Sequence, residues 1–537
     1  MTLALWCPIR ASRQGNPPFL TQKDTNPLCN PCMSLNYNFI WLLCYLLVLV
    51  GLAGYGFHRL SIVYLYWKNR NNKPQPKARF QELPVVTVQL PMFNEKFVVD
   101  RLLESVAALD YPQDRLEIQI LDDSTDDTTE QCYRKVEELK SRGFDAVCIH
   151  RTDRTGFKAG ALEAATKVAK GEFLLILDAD FVPEPDLLQK TIHFFTDENV
   201  GLVQTRWGHI NREYNLLTRI QGMYLDGHFA MEQTARNRSG RFFTFNGTAG
   251  IWRKCVIGDA GGWSHDTLTE DMDLSYRVQL KGWRFIYLND VVTPAELPVD
   301  MDGFKSQQHR WTKGSIQVCQ KILLDIWRSN APLKAKVEAT THLTCNYSYL
   351  LLALLCFLVY PICTQRIPEN ETVFMWFVNV ALFFMTSVAV CIFYMSAQIV
   401  VRPKSWWKEL PYLPLLLTLS VGMAVNNAKA VLEAIFGHQS AFVRTPKYGV
   451  DRKEDRRHVS QLKRNGYRAI KSVVIPVLEI ACGTFFLNLI IIMIRQGHYL
   501  SPILMIPFLG FYYTGFCSLG RMISNLLPAK QTAKAKN

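Results

Sequence analysis

Apolar residues in this chain gather into six long blocks, at 39–67, 343–363, 373–401, 412–436, 473–494 and 500–519. A bilayer-crossing helix needs about 20 mostly apolar residues, so most of these blocks predict spans. Between the first block and the second the pattern changes. Residues 85–90 form a short β-branched run, 116–121 alternate and end at Asp122-Asp123, and 173–177 are continuously apolar and end at Asp178. Stretches with helical spacing, 98–108 and 158–169, lie between them. Strand and helix patterns in alternation predict an α/β domain with a mainly parallel sheet. In such sheets ligands bind beyond the carboxyl ends of the strands, and both acidic clusters fall at that edge.

Charge sets the orientation. The formal net charge is +13. Lys68, Arg70, Lys73, Lys77 and Arg79 follow the first block, and eight basic residues from Arg452 to Lys471 precede the fifth. Basic clusters beside spans mark the cytosolic side and suit anionic lipid headgroups. No nucleic-acid motif accompanies them, so membrane lipids, not nucleic acid, are the expected partner. The predicted layout is an extracytosolic segment at 1–38, a span at 39–67, a linker at 68–82 and a cytosolic domain at 83–330. Two spans at 331–401, an interfacial helix and loop at 402–471, two spans at 473–519 and a cytosolic tail at 520–537 follow. Block 412–436 has basic residues at both ends and an amphipathic second half, which predicts an interfacial or re-entrant helix; a sixth span is the alternative. Glu479 and Asn488 lie inside an apolar block, as groups lining a wet path or hydrogen-bonding between helices do. The 14 cysteines are scattered, and Cys29-x-x-Cys32 has no second pair at zinc spacing.

The chemistry-bearing residues sit at strand ends and turns. Asp178-Ala179-Asp180 places two carboxylates just past a buried strand, where they can hold a hard cation such as Mg²⁺ or Mn²⁺ whose shell phosphates complete; a solvated turn is the other reading. Asp122 and Asp123 can accept hydrogen bonds from a nucleobase or ribose, or else cap a turn with Ser124 and Thr125. Lys158 can reach a diphosphate, and Gly156 and Gly160 beside it allow close approach; a plain helix start fits too. Thr269-Glu270-Asp271 follows an exposed Gly-Gly turn. A transfer with inversion needs one carboxylate to take the attacking hydroxyl's proton. Asp271 is the expected base, with Glu270 orienting its neighbours or exchanging roles with it. Arg310 can pair with a diphosphate, and Trp311 offers a flat face to a sugar ring. An interfacial aromatic-basic belt is the other reading of that pair.

Taken in order, Asp122-Asp123, Asp178-x-Asp180, Thr269-Glu270-Asp271 and Gln307-x-x-Arg310-Trp311 resemble the processive family-2 inverting glycosyltransferases, whose best-known members are the cellulose synthases. Phe245-Asn246-Gly247-Thr248-Ala249-Gly250, Lys281-Gly282-Trp283, Glu296-Leu297-Pro298 and Pro91-Met92-Phe93-Asn94-Glu95 sharpen the likeness toward the cellulose-synthase-like mannan and glucomannan synthases. The likeness covers about 83–449. It implies a Rossmann-like nucleotide-sugar transferase domain inserted between transmembrane helices. It implies nucleotide-sugar contacts at Asp122, Asp123, Lys158, Asp178, Gln307 and Arg310, metal at Asp178 and Asp180, and catalysis at Asp271 with Glu270. It further implies acceptor contacts at Phe245, Gly247, Thr248 and Trp311. Phe442, Thr445 and Lys447 stand in a stretch similar to the gating loop of cellulose synthases, with Arg444 where valine is usual.

These residues predict a membrane-embedded, multi-pass enzyme that builds a β-glucan, β-mannan or glucomannan from UDP-glucose or GDP-mannose with Mg²⁺ or Mn²⁺. Its cytosolic catalytic domain is expected at a plasma membrane or a Golgi membrane, with export coupled to synthesis. Two alternatives differ in class: a single transfer to a membrane lipid such as diacylglycerol, and a non-enzymatic channel or receptor carrying a degenerate domain.

Overall fold

The computed structural model describes residues 31–364, 381, 384–438, 445, 447–450, 473–496 and 502–526. At its centre is one seven-stranded sheet. Its strands are β1 (Val86–Met92), β2 (Leu116–Asp122), β3 (Asp145–His150), β4 (Phe173–Ile176), β5 (Val200–His209), β6 (Gly250–Arg253) and β7 (Arg284–Ala295). They lie in the order β3-β2-β1-β4-β6-β5-β7. β1 pairs in parallel with β2 and β4, as do β2 with β3 and β5 with β7. Only β6 is reversed, antiparallel to both of its neighbours.

Side chains two residues apart share a sheet face, and the two faces bury different material. Val86, Val88 and Leu90 of β1 join Phe173 and Leu175 of β4 in one apolar core, under helix Val99–Ala107. Leu174 and Ile176 point the other way, into a second core with Trp252, Leu202 and Leu162 of helix Phe157–Val168. Where that second face crosses β1 and β2 it is polar, and its groups are paired: Thr87 Oγ1 donates to Glu117 Oε2 at 2.6 Å and Gln89 Nε2 to Gln119 Oε1 at 3.1 Å. Buried polar groups are tolerated when hydrogen-bonded.

The reversed strand places the site. β1, β2, β4, β5 and β7 deliver their carboxyl ends to one edge of the sheet. Because β6 runs antiparallel, the segment entering it, 246–249, reaches that same edge. Chain from both halves of the domain therefore meets over one line.

Helices flank the sheet on the sequence side of each end. Ile40–Asn69 and Val474–Arg495 are long and apolar enough to cross a membrane. Two bent pairs raise the number to as many as four among the described residues: Leu333–Thr344 with Tyr347–Pro361, bent by 53°, and Trp406–Gly422 with Ala424–Ile435, bent by 41°. Block 412–436 is thus two helical pieces. The last block is carried by helix Pro502–Leu526, packed on Val474–Arg495. Helix Met301–Arg328 ties the sheet to these helices. Its Ile316 packs on Val431 and Ala434, and its Lys305 Nζ donates to Glu479 Oε2 at 2.6 Å, Ser518 Oγ at 2.9 Å and the Thr514 carbonyl at 3.1 Å. Glu479 is accordingly a buried helix-joining group, while Asn488 lies on the exposed side of its helix.

Candidate active site

One cleft lies over the sheet edge, and it gathers most of the residues singled out from sequence. Asp123, Lys158, Asp178, Asp180, Gly247, Glu270, Asp271, Gln307, Arg310, Trp311, Thr445 and Lys447 all line it. Three do not. Asp122 is fully buried below the edge, where its carboxylate accepts from the Ser124 N–H at 3.1 Å and Thr129 Oγ1 at 2.7 Å and meets His150 Nδ1 at 2.7 Å. It braces the turn that follows β2 and does not line the cleft. Phe245 is buried edge-on against Trp252, and Thr248 is spent on the backbone, its Oγ1 accepting from the Asp178 N–H at 2.8 Å. These two shape the floor beneath Asn246 and Gly247. Phe442 lies outside the described residues.

Each polar wall of the cleft has a structural reason. Asp178 and Asp180 follow β4, and Lys158 Nζ bridges Asp178 Oδ1 at 2.5 Å to the Gly247 carbonyl at 2.8 Å. Asp180 Oδ2 accepts from Lys447 Nζ at 2.7 Å and from the Glu296 N–H at 3.0 Å. Burial lowers the affinity of both ammonium groups for a proton, but the surrounding carboxylates outweigh it and hold Lys158 and Lys447 above the ordinary lysine range. Glu296, just past β7, accepts the backbone N–H groups of Tyr448, Gly449 and Val450 at 3.0–3.2 Å and thereby clamps the segment that carries Lys447. Asp123 is held in two-pronged fashion by Arg151 (Nε–Oδ1 2.8 Å, Nη2–Oδ2 2.6 Å), so its reach toward a nucleotide is shared with that guanidinium.

Glu270 and Asp271 open helix Glu270–Leu280, whose first turn also carries Asp273. Carboxylates suit a helix N-terminus, where peptide dipoles leave partial positive charge. The Met272 N–H donates to Asp271 Oδ1 at 2.8 Å. Burial, then the neighbouring Glu270 charge, push the Asp271 carboxyl up to about 7, against the pull of Lys158 and Arg310. That is the range in which a carboxylate can take a proton at neutral pH. Gln307, Arg310 and Trp311 stand at positions i, i+3 and i+4 of helix Met301–Arg328, hence on one face of it.

Asp178 and Asp180 fit a hard divalent cation: two carboxylates open to a cleft whose other walls can receive phosphate. Among the described residues no cluster of three acidic, histidine or cysteine side chains forms a closed protein cage. A cation here would share its shell with a ligand. Sequence reasoning overlooks Arg154, whose guanidinium carbon sits 3.4 Å from the Phe93 ring centre at the cleft mouth, and gives Asn246 no role beyond its place in the motif 245–250. The signal for Arg154 is its place beyond the end of β3, the same edge that identifies the acidic pairs.

Gly247 has φ +80°, and a Cβ placed there would lie 3.1 Å from Asp271 Oδ2. The left-handed conformation costs an L-residue about 1–2 kcal/mol. Gly247→Ala is therefore expected to lower kcat/KM by more than about tenfold, because it displaces the carboxylate, while the unfolding midpoint drops only modestly. Steady-state rates and thermal unfolding of the same preparation check this.

Residues 84–314 match the family model described as "Glycosyltransferase like family 2". Glucomannan 4-beta-mannosyltransferase 2 of Arabidopsis thaliana is 42% identical over 286 residues, 50% of this chain and 53% of that protein. Glucomannan 4-beta-mannosyltransferase 1 of Oryza sativa subsp. japonica is 41% identical over 277 residues, 51% of this chain and 53% of that protein. The chain spans about half the length of these curated relatives. A mannosyltransferase from Pyrobaculum calidifontis, PcManGT, solved in complex with GDP-Man and Mn2+, aligns with a TM-score of 0.52 at 19% identity, over 74% of this chain and 100% of that one. The last likeness is one of fold.

Proposed function

We propose, from the match of residues 84–314 to the glycosyltransferase family 2 model, that the protein is a membrane-embedded inverting enzyme polymerising a β-linked glycan of the mannan or glucomannan class. GDP-mannose is the first candidate donor, because the relatives that match are named as mannosyltransferases; UDP-glucose is the second. The observation that carries the reading is the single cleft shared by Asp178, Asp180 and Asp271.

In this reading Asp271 accepts the proton of the acceptor hydroxyl as its oxygen bonds to the anomeric carbon. The bond from that carbon to the diphosphate breaks on the opposite side, which inverts the centre and releases the nucleoside diphosphate. Lys158 and Arg310 supply positive charge where the diphosphate leaves. Asp180 and Asp178 would hold Mn²⁺ or Mg²⁺, which would supply further positive charge to the leaving diphosphate. Trp311 offers its ring to the sugar that receives. The apolar helices support an integral, multi-pass placement, with the basic flanks favouring a catalytic domain on the cytosolic side of a plasma or Golgi membrane.

Purified full-length protein in lipid nanodiscs, given labelled GDP-mannose or UDP-glucose with Mn²⁺ or Mg²⁺, tests this. A high-mass, glycosidase-sensitive product is expected. An organic-extractable product assigns the transfer to a lipid acceptor instead. Release of nucleotide from neither donor overturns the reading. Asp271 also sets the pH response. Its carboxyl must be ionised to act and is protonated below about 7, so kcat/KM should rise about tenfold per pH unit on the acid side and level above the inflection. A flat profile from pH 5 to 8 would count against Asp271 as the base.

A further inference from the structure

Asn246 lines the cleft between Gly247 and the helical wall, yet its carboxamide is not free to turn. Gln233 Nε2 donates to Asn246 Oδ1 at 2.6 Å, and Asn246 Nδ2 lies 3.0 Å from His228 Nε2. His228 Nδ1 is in turn 3.0 Å from Glu232 Oε2. Glu232 is paired with Arg59 and, at 3.3 Å, with Arg236. Arg59 belongs to the first apolar helix, Pro31–Asn69.

The donors and acceptors in this chain admit one arrangement. A carboxylate held by two guanidinium groups stays ionised and only accepts. His228 must then carry its proton on Nδ1 and present a bare Nε2. Burial, with Arg236 and Arg59 nearby, lowers the proton affinity of His228, and Gln233, whose Nε2 also donates to the Thr244 carbonyl at 2.6 Å, presents its N–H side to Asn246. Bare Nε2 requires an N–H from Asn246, which turns Oδ1 toward Gln233. One N–H and one lone pair of Asn246 remain for the cleft that it lines. That is the complement of a sugar hydroxyl, which both donates and accepts. His228, Glu232 and Gln233 belong to a seven-residue π-turn, Gly227–Gln233, inserted between two α-helical stretches. The wider turn is a departure from regular helix of the kind found at functional sites.

We propose that this relay, from Arg59 through Glu232 and His228, fixes Asn246 as the residue that reads an acceptor-sugar hydroxyl beside Asp271. The inference rests on the glycosyltransferase reading above. Asn246 contacts the sugar; His228, Glu232 and Arg59 are positioning residues. Gly247, the next residue, abuts Asp271 Oδ2, which puts Asn246 next to the group that takes the acceptor's proton. A membrane helix thereby helps to set acceptor recognition without touching substrate.

The test uses full-length protein in nanodiscs with saturating GDP-mannose and a titrated β-manno-oligosaccharide. Asn246→Ala and His228→Leu should each raise the acceptor KM roughly tenfold, the loss of one well-placed hydrogen bond, with donor KM changed by less than about twofold and more donor lost to water. The double variant should be no worse than either single one, since the two act as a unit. His228→Gln, whose amide oxygen can replace Nε2, should restore most of the affinity. Multiplying fold-changes, or equal changes in donor and acceptor KM, would overturn the relay. If His228→Leu fails to fold, Asn246→Ala and Arg59→Gln decide: both must shift acceptor KM selectively. Wild-type protein that transfers to no acceptor removes the function itself; wild-type transfer with unaltered variants removes only the relay.

Discussion

Asp271→Asn is expected to lower kcat by about 10²–10⁴, the contribution typical of a positioned general base, with donor affinity nearly unchanged. The substitution is close to isosteric, and the amide oxygen can still accept the Met272 N–H that Asp271 Oδ1 accepts at 2.8 Å. What vanishes is the capacity to take a proton. Stability gives an independent check. Burial and the Glu270 charge raise the Asp271 carboxyl to about 7 in the folded protein, above its value of about 3.9 in an unfolded chain. A carboxyl raised on folding costs stability above its unfolded value: the cost grows from about pH 4 to about pH 7 and is constant beyond. Asp271→Asn should therefore unfold at the same or a higher temperature than wild type at pH 8, and the difference should shrink toward pH 4. Lost turnover together with a lowered midpoint at pH 8 would mean that the variant is simply misfolded. Retained turnover would hand the base to Glu270.

The contrast between a dead site and an intact fold follows from how the cleft is made, and that also decides what can be read from sequence. Asp178 and Asp180 are legible because a continuous apolar run, 173–177, stops at them, and a strand that buries both faces must emerge at a sheet edge. Gln307, Arg310 and Trp311 are legible together because their spacing is that of one helix face. Asp122 looks equivalent to Asp123 in sequence, but strand alternation sends neighbouring side chains to opposite sides, so only Asp123 lines the cleft. The turn reading, with Ser124 close by, is the one that describes Asp122. Long-range pairs are illegible for a different reason. Asp180 and Lys447 are 267 residues apart, and nothing local to either indicates the other. The reversed β6 is equally hidden: four residues, Gly250–Arg253, are too few for periodicity to declare a direction, yet that direction brings Asn246 and Gly247 to the edge. The helix blocks are visible as apolar runs, but the bends near Cys345 and Met423 have no counterpart in the hydropathy pattern.

Asp180→Asn is the second large effect expected, and it should separate from the first by its metal dependence. Asp180 has two roles in the fold: its Oδ2 accepts the Glu296 N–H at 3.0 Å and pairs with Lys447 Nζ at 2.7 Å. An amide cannot supply the anionic oxygen that a hard cation needs, and metal stabilisation of developing charge is worth several kcal/mol, about 10²–10⁴ in rate. Turnover should fall by that order, and the Mn²⁺ concentration for half-maximal activity should rise at least about tenfold. Removing one member of a buried ion pair also leaves the other charged and unpaired, which is strongly destabilising, so the unfolding midpoint should drop, opposite in sign to Asp271→Asn. Lys447→Met provides the converse. It frees Asp180 of its competing ammonium, so Mn²⁺ alone should bind more tightly by calorimetry even as turnover with donor decreases. Asp180→Asn with wild-type activity and an unmoved Mn²⁺ response would remove the cation from this pair of carboxylates, and the cleft's positive charge would then rest on Lys158, Arg310 and Lys447.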